Sequence, residues 1–541
     1  MLSRAISTAA GSNASMRTPV TAWFSGFVLT VVLSGCAKPP IAPAPTRPAP
    51  PTPAQRLASA EASVRQGCLD CLIDAFGEYE LLRSLPAAVT VGTDGAIRTA
   101  ALIGLRQREL GMNDDSYLQR ARSLLMASPG QPAWMRTVLD VIDVLPAGGV
   151  TRTPTNDRDI ARSQALRVNL DGWRTTLRDL APASEFNAYV WLAFACANEG
   201  RDVALDTMFA PTDKFAGVPL ITFRRGMCRS LKPEPMRALL AANPRFVEAK
   251  YFLGSYDVSL LISGEDKLAE ADQLFNEAFA WRPEWPALTQ SIANIAMTVE
   301  EFERAALFYG HTLALEPHAV DALLGKARAQ TYIGKPVEAI ATLDVLLVER
   351  WFVGDARYWR ALNESELERN DEAWTDVELA ARLLVNAEVP KLAGLIAYRR
   401  HELEISRTKF EESRRRNPKD CETGYYLGVL LAEQKVWPRT AAVLSETSDC
   451  LLGAEQAYLK EIENIRASQD PPERQAKKIA RREQYIAKGR RYLVTSWFDI
   501  AVAYFNLSRP ADARRYAEKV VDDEQFGERA KEILARLAKS P

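Results

Sequence analysis

Histidine is nearly missing from this chain of 541 residues, which holds only His311, His318 and His401. None of the three has a carboxylate or thiol partner at metal-ligand spacing, so no metal site is expected. Neither sign of charge dominates: 68 basic side chains stand against 69 acidic ones. That balance argues against a chain-wide polyanion surface, and nucleic acid is not an expected partner. Glycines are scattered mostly singly, with no phosphate-cradling loop, and no Ser/His/Asp set stands out. With these absences the chain reads as a non-enzyme without cofactors. Segments alternating with a two-residue period are also missing, whereas apolar residues recur at helical spacing, so the expected class is all-α. An apolar content of 47% with 25% charged residues is that of a folded protein, not a disordered one.

The amino terminus has a different character. Arg17 precedes an apolar run from Thr21 to Leu33, too short to cross a bilayer comfortably but suited to a signal-peptide core. The run ends in Leu33-Ser34-Gly35-Cys36, which resembles the lipobox of bacterial lipoproteins. That resemblance implies a cleaved signal over residues 1–36, a diacylglycerol on Cys36 and palmitate-type acylation. Ala37 stands where an aspartate would retain such a protein in the inner membrane, so the resemblance further implies a lipid-anchored protein of the outer membrane facing the periplasm. Eight prolines between Lys38 and Pro53 make residues 37–54 a polyproline II tether. At ~3.1 Å per residue it would span roughly 50 Å.

From Gln55 onward, small residues return at a fixed interval. Ala271, Ala305, Ala339 and Ala373 lie 34 apart, Ala441 falls on the same phase, and Pro283 and Pro317 repeat the interval. A 34-residue helix-turn-helix unit resembles the tetratricopeptide repeat (TPR) family, in which small residues allow two antiparallel helices to approach closely. The match runs from about Arg245 to Cys450 and resumes at Trp497, Ala501, Tyr504 and Ala513, with Gly527–Lys539 as a capping helix. The resemblance implies a TPR-like helix-turn-helix solenoid wound as a right-handed superhelix. Its expected divisions are 55–242, helical with degenerate repeats; 243–450, the array; and 451–541, a long basic helix with a terminal repeat and cap.

In this family the first helix of each repeat lines a concave face. Carried over by position, that face would present Tyr251, Gln290, Asn294, Arg328, Tyr358, Tyr398, Tyr425 and Phe498. Such aromatic and polar side chains suit an extended peptide or another envelope protein. The eight basic residues between Arg474 and Arg491 read as the solvated face of an exposed helix, with docking of an anionic partner or lipid headgroup as the alternative. Six cysteines remain after Cys36, and an oxidising compartment would pair them as Cys68–Cys71, Cys196–Cys228 and Cys421–Cys450. The third pairing follows from the phase, with Cys421 opening one helix and Cys450 ending its antiparallel partner. The expected function is a membrane-anchored scaffold of the bacterial envelope, serving secretion, pilus assembly or cell-wall synthesis by protein–protein interaction. The competing reading is a glycan-binding nutrient-capture lipoprotein of the SusD type.

Overall fold

Capping chemistry starts the first helix of the computed structural model, which describes residues 50–112, 114–145, 157–199, 203–229, 231–259 and 265–539. The side chain of Thr52 accepts from the amide of Gln55, whose own side chain accepts from the amide of Thr52, and Pro53 takes the first helical position. The signal segment, Cys36 and most of the tether lie outside the described residues.

Every described element is helical, and residues 52–541 form one compact unit. The first ten helices are α1 (Pro53–Gln66), α2 (Leu69–Arg83), α3 (Val89–Glu109), α4 (Ser116–Met126), α5 (Trp134–Val144), α6 (Asp157–Leu180), α7 (Glu185–Asn198), α8 (Leu205–Phe209), α9 (Pro219–Met227) and α10 (Pro233–Ala242). The repeats then follow as helix pairs: α11 (Val247–Ser259) with α12 (Glu265–Phe279), α13 (Pro286–Thr298) with α14 (Phe302–Leu315), and α15 (Val320–Tyr332) with α16 (Pro336–Glu349). After them come α17 (Gly354–Glu366) with α18 (Asn370–Leu383), α19 (Glu388–Arg399) with α20 (Leu403–Arg416), and α21 (Cys421–Glu433) with α22 (Trp437–Ala467). The last pair is α23 (Pro472–Asn506) with α24 (Pro510–Ala517), and α25 (Gly527–Lys539) closes the chain where the sequence places a cap.

The helix phase follows the alanine phase. First helices begin at Pro286, Val320, Gly354 and Glu388, 34 residues apart, and Ala271, Ala305, Ala339 and Ala373 are wholly buried. At Gly254, Gly325 and Gly394 the absent side chain is filled by a ring, and at Gly428 by Leu444. A Cβ on Gly325 would stand 2.3 Å from the Tyr309 ring, and one on Gly394 would stand 2.7 Å from Phe410. The turn inside each repeat closes the same way six times. The second residue past the first helix takes a left-handed φ at Glu300, Gly334, Glu368, His401, Lys435 and Ser508. The amide that follows bonds back across five residues, as in Glu301 to Ala296 and Lys335 to Gln330, the Schellman arrangement. Only one of the six positions carries the glycine that this conformation favours.

Two expected divisions do not interrupt the packing. The largest apolar cluster runs from Ala60 to Ile295, across the 242/243 boundary, and the Trp285 indole donates to the Leu110 carbonyl at 2.7 Å. The 450/451 boundary falls inside α22, which continues to Ala467. Cys450 therefore lies within that helix instead of ending it. The three cysteine pairs nonetheless bring their sulfurs to bonding distance, with Cα separations of 5.0 Å for Cys68–Cys71, 5.2 Å for Cys196–Cys228 and 5.6 Å for Cys421–Cys450. These are separations that a disulfide accommodates.

Candidate functional site

First helices of successive repeats lie against one another, so the side chains of α13, α15 and α17 come together. Phe302, at the start of α14, stacks on Tyr332 with ring centres 4.5 Å apart, and Tyr332 meets Trp359 edge-on at 5.7 Å. The Arg328 guanidinium lies over the Trp359 ring at 5.4 Å. It has no ion pair among the described residues. Next to it the Tyr309 hydroxyl donates to Asn294 at 2.8 Å, and burial pushes this phenol up to about 12. The result is an aromatic strip with an amide and a cation that has no ion pair among the described residues, a surface able to hold backbone and apolar side chains together.

The chain itself reaches across one edge of this strip, capping Phe302 and leaving Tyr332 47% exposed. α22 has 31 residues and α23 has 35, where the other array helices have 8 to 15. At 1.5 Å per residue these two helices are roughly 46 and 52 Å long. Their surplus, from about Leu451 to Arg491, pairs with itself as an antiparallel hairpin and reaches back to the turn between α13 and α14. There Arg474 bonds Glu301 at 2.7 Å, while Arg481 and Arg482 both hold Glu300, at 2.5 and 2.7 Å. Arg481 also lies over the Phe302 ring at 4.4 Å. Burial raises the carboxyl groups of Glu300 and Glu301, but the arginine hydrogen bonds outweigh it and hold both below the usual glutamate range. A cavity of about 520 Å³ remains between hairpin and strip, lined among others by Asn294, Arg328, Tyr332, Arg481 and Tyr485.

The basic run is therefore neither a solvated face nor an open anion site along its first half. Arg474, Lys478, Arg481 and Arg482 are half-buried and spend their charge on Glu301, Asp470, Glu300 and Glu461. At the base of the hairpin Lys488 pairs with Glu422 at 2.7 Å, and Tyr492 stacks on Tyr425 at 3.9 Å. Only Lys477 and Arg490 among the paired cations of this run keep mostly exposed side chains.

The eight carried-over positions separate accordingly. Asn294 and Arg328 line the cavity, and Gln290 donates to Asn294 at 3.3 Å. Tyr425 is covered by Tyr492 of α23. Tyr398 donates to Glu433 at 2.5 Å, spanning two neighbouring repeats. Tyr251 is packed among Phe252, Phe275 and Trp285, and Tyr358 sits half-buried against the α17–α19 core. Phe498 is not on the concave surface at all. It is 2% exposed and stacks on Phe526, because the cap closes over the first helix of the last repeat. The positional rule also passes over Phe302, Tyr332 and Trp359, which sit at the turn, at a helix end and beside Tyr358. The aromatic spacing offered a signal, but the rule ignores it.

A metal site is not evident: among the described residues no group of three His, Cys, Asp or Glu side chains could hold an ion. His318 instead contacts Glu349 at 2.9 Å.

No family model matches the chain, and no curated protein is similar to it. Among solved structures it is similar to a tetratricopeptide repeat protein from Parabacteroides merdae, at 14% identity and a TM-score of 0.32. That match covers 54% of this chain and all of that one. It is similar to Pseudomonas aeruginosa pilF at 12% identity, covering 46% and 97% of the two chains with a TM-score of 0.35. YrrB, described as a TPR protein with an unusual peptide-binding site, matches at 22% identity over 32% and 91% with a TM-score of 0.28. The all-α, TPR-like assignment rests on this chain's own helix phase and turn geometry.

Proposed function

We propose that this protein is a non-catalytic scaffold of the bacterial cell envelope, anchored through a lipid on Cys36, that binds extended segments of envelope proteins along its concave face. The observation that carries the binding reading is the strip of Phe302, Tyr332 and Trp359 beside the Asn294 amide and Arg328, which has no ion pair among the described residues. Rings supply large contact area at low entropic cost, while the amide and guanidinium can hold backbone carbonyls or carboxylates. The anchor reading is supported by the Leu33-Ser34-Gly35-Cys36 motif after an apolar core, followed by a proline-rich spacer. Localisation to the outer membrane, on its periplasmic side, belongs to the same reading.

Photo-crosslinking from Tyr332 in the full-length chain in cells tests the binding face. We expect protein adducts that Arg328→Glu removes, while a crosslinker at Met126, exposed in the amino-terminal part, is unaffected by that substitution. Undiminished adducts in Arg328→Glu, or tight oligosaccharide binding lost on Tyr332→Ala, would overturn the reading. For the anchor, Cys36→Ala should move the protein from the membrane fraction to the soluble one, and firm membrane retention refutes it.

A further inference from the structure

Most helices of the array are held by apolar cores between neighbours, but the hairpin surplus of α22 and α23 is not. The clusters that bind α13 through α22 contain Ala293, Ala305, Leu343, Val377, Ile396 and Phe410, and no residue between 452 and 491 belongs to any of them. Of the surplus in α23 only Ile486 is buried, and it faces Ile462 of the other arm across a second cavity. The hairpin could therefore swing away and uncover, of those cores, chiefly the Phe302 ring beneath Arg481. What it makes with α13 and α14 is almost wholly charged: three arginine–glutamate pairs and one cation over a ring. Its base is different, because the Tyr425–Tyr492 stack, the Tyr426–Tyr492 hydroxyl contact at 2.9 Å and the Lys488–Glu422 pair join it to α21.

We propose that the hairpin is a strap that closes the concave face, pivoting at the Tyr425–Tyr492 base and latched at its tip by Arg474, Arg481 and Arg482 on Glu300 and Glu301. In the closed state Arg481 caps the Phe302 ring and Tyr485 stands in the cavity beside Arg328 and Tyr332, which stay exposed, so the strap excludes an extended segment from running past Phe302 along the face assigned above. That exclusion rests on the scaffold reading; the latch itself does not. Half-exposed ion pairs are individually weak, each shifting an equilibrium by a factor of about 1.5 to 5. Three together with the ring contact set a closed-to-open ratio that salt and charge can move, since screening acts within ~3 Å at 1 M.

The test reads the distance across the latch without any partner. Spin labels are placed at Glu303→Cys and Gln484→Cys, both exposed, in the full chain carrying Cys36→Ser so that no other unpaired thiol reacts. At low salt we expect one narrow, short distance. Raising salt to about 1 M, or introducing Glu300→Arg with Glu301→Arg, should lower the short-distance population about tenfold relative to the open one. Adding Arg474→Glu, Arg481→Glu and Arg482→Glu to the reversed glutamates should restore it. An unchanged narrow distance in the salt series overturns the latch even if the reversal variants do not fold, and failure of the complementary swap to restore closure in folded protein overturns it as well. Loss of crosslinking from Tyr332 with a normal salt response would instead sink the scaffold reading alone.

Discussion

Arg106 is wholly buried in α3, and its removal should be among the most damaging single changes to this chain. Its guanidinium bonds Glu248 of α11 at 2.7 Å and the Tyr189 hydroxyl of α7 at 3.1 Å, and lies 3.8 Å over the Phe223 ring of α9. Glu248 also accepts the Leu69 amide at 2.8 Å, so one ion pair joins the start of α2 to α3, α7, α9 and α11. Arg106→Met keeps the aliphatic bulk but leaves the Glu248 carboxylate 3% exposed with a single amide donor. An uncompensated buried charge of this kind costs about 3 to 5 kcal/mol. Glu248→Gln strands the arginine instead and should cost a similar amount. The double variant removes both charges, so its loss should fall short of the sum of the singles by about 2 kcal/mol or more. Urea unfolding followed by circular dichroism measures all three, and hydrogen exchange in α7 locates the damage. Additive losses, or an Arg106→Met cost below about 1 kcal/mol, would show that the pair does not hold these helices together.

Other perturbations reach the array. Glu368→Gly relieves a left-handed residue in the turn where Gly334 already serves the preceding repeat, and should raise stability by about 0.5 to 1 kcal/mol; a fall in melting temperature would contradict the strain. Oxidised Cys421 and Cys450, 29 residues apart, should contribute about 3 to 4 kcal/mol in the chain-entropy model, so paired serine substitutions should lower the unfolding midpoint. Six reactive thiols in denatured, unreduced protein recovered from an oxidising compartment would refute that pairing. The Glu364 carboxyl is pushed up to about 7 by burial and then by Asp376, against the pull of Arg360. A raised carboxyl stabilises the fold fully below its ordinary value near 4.5, and this contribution fades as pH rises through about 7. Relative to the parent, Glu364→Gln should then gain about 1 kcal/mol between pH 5 and pH 8, and a flat difference across that range rules the shift out.

The sequence by itself determined the repeat phase, because close helix approach demands small residues at a fixed interval and leaves a periodic record in Ala271, Ala305, Ala339 and Ala373. It also placed the closing helix at Gly527–Lys539 and paired Cys421 with Cys450 through that phase. The turns were less legible. A Schellman turn is satisfied by backbone hydrogen bonds, so Glu300, Glu368 and His401 can stand where only Gly334 advertises the conformation. What only the tertiary structure decided is the fate of the concave face. Residues 451–491 follow no repeat period, and the partners of Arg474 and Arg481 lie more than 170 positions earlier in the chain. Ion pairs leave no spacing rule across such a separation. A run of arginines therefore reads alike whether it faces water or, as here, a pair of glutamates that the long hairpin reaches.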